Sequence, residues 1–410
     1  MTRTGSHGVG PGAGSAPAGP RRRSLRWGTA GAVIATAAAL GMSGATAATA
    51  APVRTIFVPC SVNALRASIF FAPGDSILSL VSGCVYRLNS ALPDVRRNIT
   101  IQGNHDTIRR NSGTYTALEV DDAMLTINRL NMIGFRGRRD RPGAIDNDGG
   151  TVTITNSNFA FNDGGEGGAI RNDNGGSLSV TSSGFLRNEA FSGGAIDNRG
   201  RSTATVDIST FVNNEADTGG AIFVASGHVT VEGTGTTAGA STQFVGNKAL
   251  GRDDGVAVGE AGAVKPDAFL TGFGGAIDNL GGSLSITYAI FNGNAAEEDG
   301  GAVWNGGGTS SIGTSGFRSN FADDDGGAIA TTKSLNLFSD TLTLNRARDD
   351  GGGIYVNGGR TSLSRTDVFA NSAGGTGGGI RRNNGNVSLT NFSLVTLNRP
   401  NNCSGFIFGC

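Results

Sequence analysis

A four-residue signature recurs along about two thirds of this 410-residue sequence and limits its fold more than any other feature. The signature is Gly-Gly-Ala-Ile, with Gly allowed for Ala and Val for Ile, and its last residue falls at 145, 170, 196, 222, 277, 303, 329, 354 and 380. A second signature, Phe-x-x-Asn or a variant of it, ends at 162, 188, 214, 247, 294, 320, 345, 371 and 398. Both keep a period of about 26 residues, which indicates an array of stacked repeats.

Within each repeat, short runs alternate between aliphatic and hydroxyl residues. Leu178 and Val180, for example, alternate with Ser177, Ser179 and Thr181. This period of two indicates β-strands with one apolar face, and a short unit with one such face must stack on its own copies to bury it. The sequence therefore predicts an all-β fold, a right-handed parallel β-helix with coils of about 26 residues and a corner at each Gly-Gly pair.

The two signatures resemble the repeats of the chlamydial polymorphic membrane proteins and of related bacterial extracellular β-helix proteins. The resemblance covers residues 142 to 398 and recurs nine times. It implies a pectate-lyase-like β-helix and a role as an adhesin or surface scaffold rather than as an enzyme. Those chlamydial chains continue into a C-terminal outer-membrane barrel, whereas this sequence ends at Cys410.

Residues 1–50 have the composition of a secretory signal peptide. They contain five Arg and no acidic residue, then an apolar run from Gly28 to Met42, then Ala48-Thr49-Ala50 before the expected cleavage site. The run at 22–25 resembles a twin-arginine signal, so that route and the general secretory route both stay open. We expect an extracellular or cell-surface bacterial protein with no membrane-spanning segment in the mature chain.

Removal of the leader leaves 28 basic and 33 acidic residues, a net charge of about −5. This balance does not favour nucleic acid or an anionic membrane as a partner. Recurrent asparagines, such as Asn188 and Asn214 in one column and Asn172 and Asn198 in another, are expected to form ladders along the stack. We therefore interpret both asparagine columns as structural.

The four cysteines lie near the two ends of the repeat region, as Cys60 with Cys84 and Cys403 with Cys410. In an exported protein this grouping predicts two local disulfides. We predict an N-terminal cap over residues 51–97, the β-helix over 98–398 and a C-terminal cap over 399–410. Such caps protect the unpaired strand edges at the ends of the helix.

The regular spacing breaks once, between Ile222 and Ile277, where the step is 55 residues. An insertion at about 248–273 accounts for the excess. Two interpretations stay open: a loop that projects from a continuous helix, or a degenerate coil with its corner at 255–258. Long insertions on solenoids commonly contribute to binding faces.

The position after the recurrent Ile points outward if Ile points inward. It holds Asp146, Arg171, Asp197, Phe223, Asp278, Trp304, Ala330, Tyr355 and Arg381. Exposed aromatic rings flanked by charged groups suit a sugar chain or a protein partner. We therefore expect a ligand-binding stripe for carbohydrate or a surface protein, formed by Phe223, Asp278, Trp304, Tyr355 and Arg381. The alternatives are scattered surface aromatics, or rings covered by the insertion.

Acidic residues crowd the turn before the Gly-Gly corner in three successive coils. Stacked about 5 Å apart, they repel one another unless water or a cation separates the charges. Carboxylate oxygens suit Ca²⁺, so Asp299, Asp325 and Asp350 are candidate metal ligands, with solvated turn residues as the alternative. No other cofactor is expected.

Catalysis has little support in the sequence. A polysaccharide lyase or glycoside hydrolase on this fold needs paired carboxylates, or an arginine base, grouped on one strand face. Asp278 or Asp197 with Arg381 or Arg171 are candidates, yet most of the opposite charges lie two or more coils apart. We expect an exported non-catalytic scaffold or adhesin, with the lyase or hydrolase as the alternative.

Overall fold

The computed structural model describes residues 53–251 and 271–410. They form an all-β parallel solenoid of about 13 coils, each about 26 residues long. Strands of each coil pair in parallel with those of the neighbouring coils, in a 32-stranded sheet and a separate 7-stranded sheet. The predicted fold class is therefore confirmed, while the predicted leader at 1–50 lies outside the described residues.

A regular coil contributes strands to three faces, named here sheets 1, 2 and 3, and often to a short corner sheet. Sheet 1 contains Leu118–Asp121, Ile145–Asp148, Ile170–Asp173, Ile196–Asn198, Ile222–Val224, Ile277–Asn279, Val303–Asn305 and Ile329–Thr331. Sheet 2 contains Thr151–Thr155, Ser177–Thr181, Thr203–Asp207, His228–Glu232, Ser283–Thr287, Thr309–Gly313 and Leu335–Phe338. The long strands Ile354–Ser364 and Ile380–Thr390 continue sheets 1 and 2 without a break.

Sheet 3 follows a tight turn after sheet 2. It contains Asn158–Ala160, Gly184–Leu186, Thr210–Val212, Thr242–Val245, Ala289–Asn292, Gly316–Arg318, Thr341–Thr343, Asp367–Phe369 and Leu394–Thr396. The corner sheet contains Glu189–Ser192, Glu215–Thr218, Lys248–Ala249, Ala295–Ala296, Phe321–Ala322, Arg346–Ala347 and Ser372–Ala373. The turn between the corner sheet and the next strand of sheet 1 is the acidic turn noted in the sequence.

The segment predicted as an N-terminal cap also joins the stack. Strand Thr55–Val58 pairs with Ser76–Leu80, and both Ser76–Leu80 and Val85–Leu88 pair with Ile99–Arg110, which in turn pairs with Met124–Ile133. The helix Val62–Phe71 begins after Ser61, whose Oγ accepts from the backbone N–H of Ala64 at 3.4 Å. Its Leu65 and Ile69 are buried against the first coils, so this end of the core is covered.

Stacked side chains fill the interior. Six phenylalanine rings lie one above another, with consecutive centroids 4.6 to 5.2 Å apart and planes within 10° of parallel: Phe159, Phe185, Phe211, Phe244, Phe291 and Phe317. Aliphatic residues from sheets 1 and 2 complete the core. A solenoid core of this kind is buried by neighbouring coils rather than within one coil.

The asparagine that ends each Phe-x-x-Asn signature is buried and satisfies backbone groups of two coils. The side chain of Asn188 donates from Nδ2 to Asn214 Oδ1 at 2.9 Å and to the carbonyl oxygen of Phe159 at 3.1 Å. Its own N–H donates to the same Asn214 oxygen at 3.0 Å. The second asparagine column also pairs through its amides, as between Asn172 and Asn198 at 2.8 Å. Both columns are ladders, as predicted.

A third ladder escaped the sequence analysis and runs along the turn between sheets 2 and 3. The backbone N–H of Ser157 donates to Ser183 Oγ, and that of Ser183 donates to Ser209 Oγ, both at 3.1 Å. In one coil Asp340 replaces the hydroxyl residue, and it accepts from the N–H of Ser315 at 2.8 Å. Burial raises the pKa of Asp340 to about 7, because the turn holds its carboxyl away from water.

Backbone geometry and close packing between coils explain why both residues of the Gly-Gly corner are glycine. Gly193 has a φ of +60°, where a side chain is strained, and a Cβ on Gly194 would lie 2.2 Å from the carbonyl oxygen of Gly220 in the next coil. A side chain at the second glycine therefore has no room between coils.

The solenoid is continuous across the insertion. Strand Ile222–Val224 pairs directly with Ile277–Asn279, although 55 residues separate the two recurrent isoleucines. The extra residues before Asn247 form a turn in which the N–H of Thr234 donates to the carbonyl oxygen of Ala240 at 2.6 Å. The corner proposed at 255–258 lies outside the described residues.

Both predicted disulfides are present. Cys60 joins Cys84 beside the first coils, and Cys403 joins Cys410 after the last one. Strand Cys403–Ser404 pairs with the start of strand Ile380–Thr390, so the C-terminal segment covers sheet 1 of the final coil.

Candidate functional site

The residues predicted to form an outward column do form one. Each pairs in register with the next, and the series extends one residue further at each end: Glu119, Asp146, Arg171, Asp197, Phe223, Asp278, Trp304, Ala330, Tyr355, Arg381 and Ser404. This series is called the outward column below. Consecutive members lie about one strand spacing apart, roughly 4.8 Å.

The expectation that its aromatic rings are exposed is wrong. Phe223 and Trp304 are 6% exposed and Tyr355 is 9% exposed. The turn before each Gly-Gly corner folds back over sheet 1, and its side chains contact the outward column. Each such turn is called a covering turn below. Phe273, for example, lies in such a turn and packs on Trp304 with ring centroids 4.6 Å apart. The column is thus buried between sheet 1 and the covering turns, and its aromatic rings expose little surface to a ligand.

Charged residues occupy the N-terminal part of the column. Asp146 is fully buried and binds Arg171, with Nε and Nη2 of the arginine 2.8 and 2.9 Å from its two oxygens. Arg171 also contacts Glu166 of the covering turn at 3.0 Å, and Glu166 contacts Arg199 at 2.7 Å. Arg199 in turn pairs with buried Asp197. Ion pairing and shared hydrogen bonds compensate for the burial of these groups.

Asp278 lies in the middle of the column and is 1% exposed. One of its oxygens contacts the hydroxyl of Thr218, while the other has no hydrogen-bond partner among the residues that the structure describes. Burial raises the pKa of Asp278 to about 8, so the carboxyl is mostly protonated at neutral pH. The Thr218 hydroxyl donates to Asp278 Oδ2 and also lies within hydrogen-bonding distance of the carbonyl oxygen of Phe273, at 3.4 Å.

Three largely apolar residues follow Asp278 in the column. Trp304, Ala330 and Tyr355 make one buried cluster, against which Phe273 and Leu280 pack. The hydroxyl of Tyr355 hydrogen-bonds Asp325 of the covering turn and accepts from Asn383 Nδ2 at 3.3 Å. Burial is the main cause that raises the pKa of Tyr355, and the negative charge of Asp325 adds to it.

The covering turns bring three carboxylates together beside this cluster. Oxygens of Asp299, Asp324 and Asp325 lie within 4.8 Å of one another. Burial raises the pKa of Asp299 to about 7 and that of Asp325 to about 6. The backbone N–H of Asp325 donates to Asp299 Oδ1 at 3.1 Å, so the carboxylates also tie neighbouring turns together.

The third predicted metal ligand, Asp350, is placed differently. Its Oδ2 lies 3.1 Å from Arg381 Nε, and its Oδ1 accepts from the N–H of Thr376 at 2.6 Å. Its N–H donates to Asp325 Oδ1 at 2.8 Å. Asp350 is thus compensated by an arginine, and Asp324 is the better partner for Asp299 and Asp325 as a Ca²⁺ ligand.

The residues weighed as catalytic candidates do not form one group in the described part of the chain. Asp278 and Arg381 are four coils apart in the outward column. Arg171 and Asp197 are adjacent, yet the nearest carboxylates of Arg171 are Asp146 and Glu166. A general acid or base needs a free position beside substrate, and these buried pairs do not provide one.

Sequence reasoning missed the partners of the column: Glu166, Thr218 and Phe273 in the covering turns, and Arg199 directly after the strand Ile196–Asn198. Their signal was available, because most lie five residues before a member of the outward column and therefore form a column of their own. A strand-only interpretation of the repeat assigns these residues to solvent.

No known family model and no curated protein matches this chain. Within the described ranges, no helix has both the length and the apolar character needed to cross a membrane. Two disulfides are compatible with an oxidising, extracellular location.

Proposed function

We propose that this protein is an exported, non-catalytic scaffold, adhesin-like in role, that binds a glycan along the outer face of sheet 2. The supporting observation is an uninterrupted line of hydroxyl groups that points outward from consecutive coils. Its members pair in register and are named the hydroxyl column: Thr126, Thr153, Ser179, Thr205, Thr230, Ser285 and Ser311.

The hydroxyl column has the chemistry that a neutral sugar chain needs. Each hydroxyl both donates and accepts hydrogen bonds, as sugar hydroxyls do. None of these side chains is charged, so binding does not have to desolvate a charged group. Thr205 and Ser311 are exposed, and the remaining members are half-buried. The groups repeat every 4.8 Å or so along the solenoid axis, so an extended glycan can contact several coils at once.

The burial and ion pairing of the charged residues in the outward column favour a scaffold over an enzyme. The ion pairs of Asp146 and Asp197 compensate charges inside the fold, and the covering turns close the column from solvent. A polysaccharide lyase or glycoside hydrolase remains the second candidate. It would require the covering turns to open over Asp278, Asp197 and Arg381.

The test is glycan-array binding by the full chain, followed by product analysis on every polysaccharide that binds. A double variant, Thr205→Val with Thr230→Val, removes two hydroxyls while it keeps side-chain shape, and we expect it to weaken binding at least tenfold. Thr210→Val on sheet 3 is the matched control and should bind like the wild type. Equal loss in the control, or no loss in the double variant, would remove sheet 2 as the binding face.

The remaining outcomes separate the alternatives. Cleavage of a bound polysaccharide would replace the scaffold by an enzyme, and Asp197→Asn and Asp278→Asn would then be assayed for activity. Absence of binding to any glycan would favour a protein partner on the same face.

A further inference from the structure

The outer face of sheet 2 changes in composition toward its C-terminal coils. The hydroxyl column continues in register from Ser311 to Asn336. Beside it, the last outward position of three consecutive strands holds Thr287, then Gly313, then Phe338. The phenylalanine is 49% exposed. A residue without a side chain therefore lies between a threonine and a large exposed ring.

Gly313 differs from the glycines of the Gly-Gly corner, because the fold does not require a glycine there. Its φ lies outside the left-handed region. A Cβ on Gly313 would make ordinary contacts, 3.5 Å from the carbonyl oxygen of Phe338 and 3.9 Å from Thr287 Cγ2. A glycine inside a strand weakens the strand and often marks a close approach by a ligand. It leaves a recess between Thr287 and Phe338 that is two strand spacings wide, about 10 Å. This space is called the Gly313 recess below.

Aromatic residues lie on both sides of the Gly313 recess. The guanidinium of Arg365, in the following coil, lies 5.6 Å from the centroid of the Phe338 ring. On the other side, Tyr288 follows Thr287, is 36% exposed and donates its N–H to the carbonyl oxygen of Gly313 at 3.2 Å. Exposed rings beside polar groups suit the apolar face of a sugar ring.

Positive charge surrounds the recess. Lys333, Arg360 and Arg365 are exposed, and none of them pairs with a carboxylate within the described part of the chain. Acidic residues are almost absent from this part of sheet 2 and its turns. The one acidic residue is Asp340, which is buried in the third ladder, across the segments 280–288, 306–314, 332–340 and 357–366.

A sugar residue with a negatively charged substituent matches these features. Its ring can stack on Phe338, and its hydroxyls can bond with Ser311 and Asn336 of the hydroxyl column. A carboxylate or sulfate ester on the same ring would lie beside Arg365, whose planar guanidinium binds such groups with two parallel hydrogen bonds. A neutral sugar would leave that cation without a partner.

We propose that the Gly313 recess is a subsite for an anionic sugar residue, with Phe338 as the stacking surface and Arg365 as the charge partner. This inference rests on the glycan binding proposed above, and it specifies which glycans the outer face of sheet 2 takes. The recognised group is a negatively charged substituent on the sugar, either the carboxylate of a uronic acid or a sulfate ester.

The first test compares three probes by calorimetry with the full chain. They are a hexasaccharide of glucuronic acid, the same hexasaccharide with its carboxylates methyl-esterified, and a glucose hexasaccharide that carries sulfate esters. We expect at least one charged probe to bind about tenfold more tightly than the neutral ester, because the ester loses a charge-assisted hydrogen bond. The tighter of the two charged probes identifies the substituent.

A second test fills the recess. Gly313→Val should weaken binding of the charged probe about tenfold, while the thermal midpoint stays equal or rises, because valine suits a strand better than glycine does. A loss of binding without a loss of stability excludes misfolding as its cause. Gly316→Val is the matched control, since it adds the same side chain at an open position on sheet 3 and should bind like the wild type.

A third test removes the charge. Arg365→Gln should reduce the preference for the charged probe over the neutral ester, whereas Arg318→Gln, at an exposed site on sheet 3, should keep it. Equal affinity of the wild type for charged and neutral probes would overturn the subsite and leave glycan binding in place. Unchanged binding by Gly313→Val would do the same. Failure to bind any glycan would remove both the subsite and the proposed function.

Discussion

The side chain of Asn247 donates from Nδ2 to Oδ1 of Asn294 at 2.9 Å, although 47 residues separate the two in sequence. The same contact joins Asn214 and Asn247 across 33 residues, and in other coils it joins residues 25 to 27 apart, with an equal or nearly equal distance. The insertion therefore leaves the asparagine ladder unchanged, which indicates that the ladder geometry is held more strictly than the length of the chain between its members.

Asn247→Asp should destabilise the fold strongly. The carboxylate keeps the shape of the amide but loses the donor that reaches Asn294 Oδ1 and the carbonyl oxygen of Phe211. Each buried acceptor left without a partner costs about 1–3 kcal/mol. We expect a clear fall in the urea midpoint, measured by circular dichroism. Asn292→Asp, at an exposed site, should change it little, and equal falls would contradict a special role for the ladder.

The phenylalanine stack should respond to side-chain size. Phe211 lies between Phe185 and Phe244, with centroids 4.7 and 4.9 Å away. Phe211→Ala removes these contacts and leaves a cavity, at a cost of about 3–5 kcal/mol. Phe211→Leu should cost much less, because Leu342 fills the same position in a later coil. Similar thermal midpoints for the two variants would contradict a response to side-chain size.

Stability should fall as pH rises through the range in which Asp278 loses its proton. Burial raises its pKa from an ordinary value of 3.8 to about 8, so the folded chain holds a proton that the unfolded chain releases. Between these values, Asp278 lowers the free energy of unfolding by about 1.4 kcal/mol per pH unit. Asp278→Asn should flatten the decline between pH 5 and 8 and raise the thermal midpoint at pH 8. Asp122→Asn, at an exposed site, should follow the wild type; a parallel profile for Asp278→Asn would contradict the assignment.

The Ca²⁺ hypothesis stays a prediction and is best tested at the carboxylate group. Calcium at pH 7.5 should raise the thermal midpoint, because it relieves repulsion among Asp299, Asp324 and Asp325. At pH 5 the raised pKa values of Asp299 and Asp325 leave both protonated, so the effect should vanish. Asp299→Asn should abolish it as well. Asp323→Asn is the control, since its carboxylate pairs with Arg348 at 3.0 Å; a calcium response that survives in Asp299→Asn would place the ion elsewhere.

The repeat made the interior predictable. A period of 26 fixes which residues stack, so the isoleucine, phenylalanine and asparagine columns and the order of the outward column all followed from spacing. Exposure of that column did not follow, because it depends on whether a turn folds outward or back over the strand. A turn such as Glu297 to Asp299 is acidic and predicts solvent, yet burial raises the pKa of its Asp299 to about 7. The third ladder, at Ser157, Ser183 and Ser209, was missed for a related reason. A serine in a turn looks the same in the sequence whether its Oγ faces water or accepts from a backbone N–H.

The outward column differs from the interior in one respect that bears on folding. Interior ladders repeat the same residue, so one coil can replace another without loss. In the outward column each residue contacts a specific neighbour: Arg171 binds Asp146, and Arg381 binds Asp350. A chain that skipped the coil of Arg171 during folding would separate Asp146 from that arginine and place Asp146 next to Asp197 in the column, and two buried carboxylates at one strand spacing are costly inside a protein. This column therefore distinguishes the coils from one another and keeps a nearly uniform array from assembling in the wrong order.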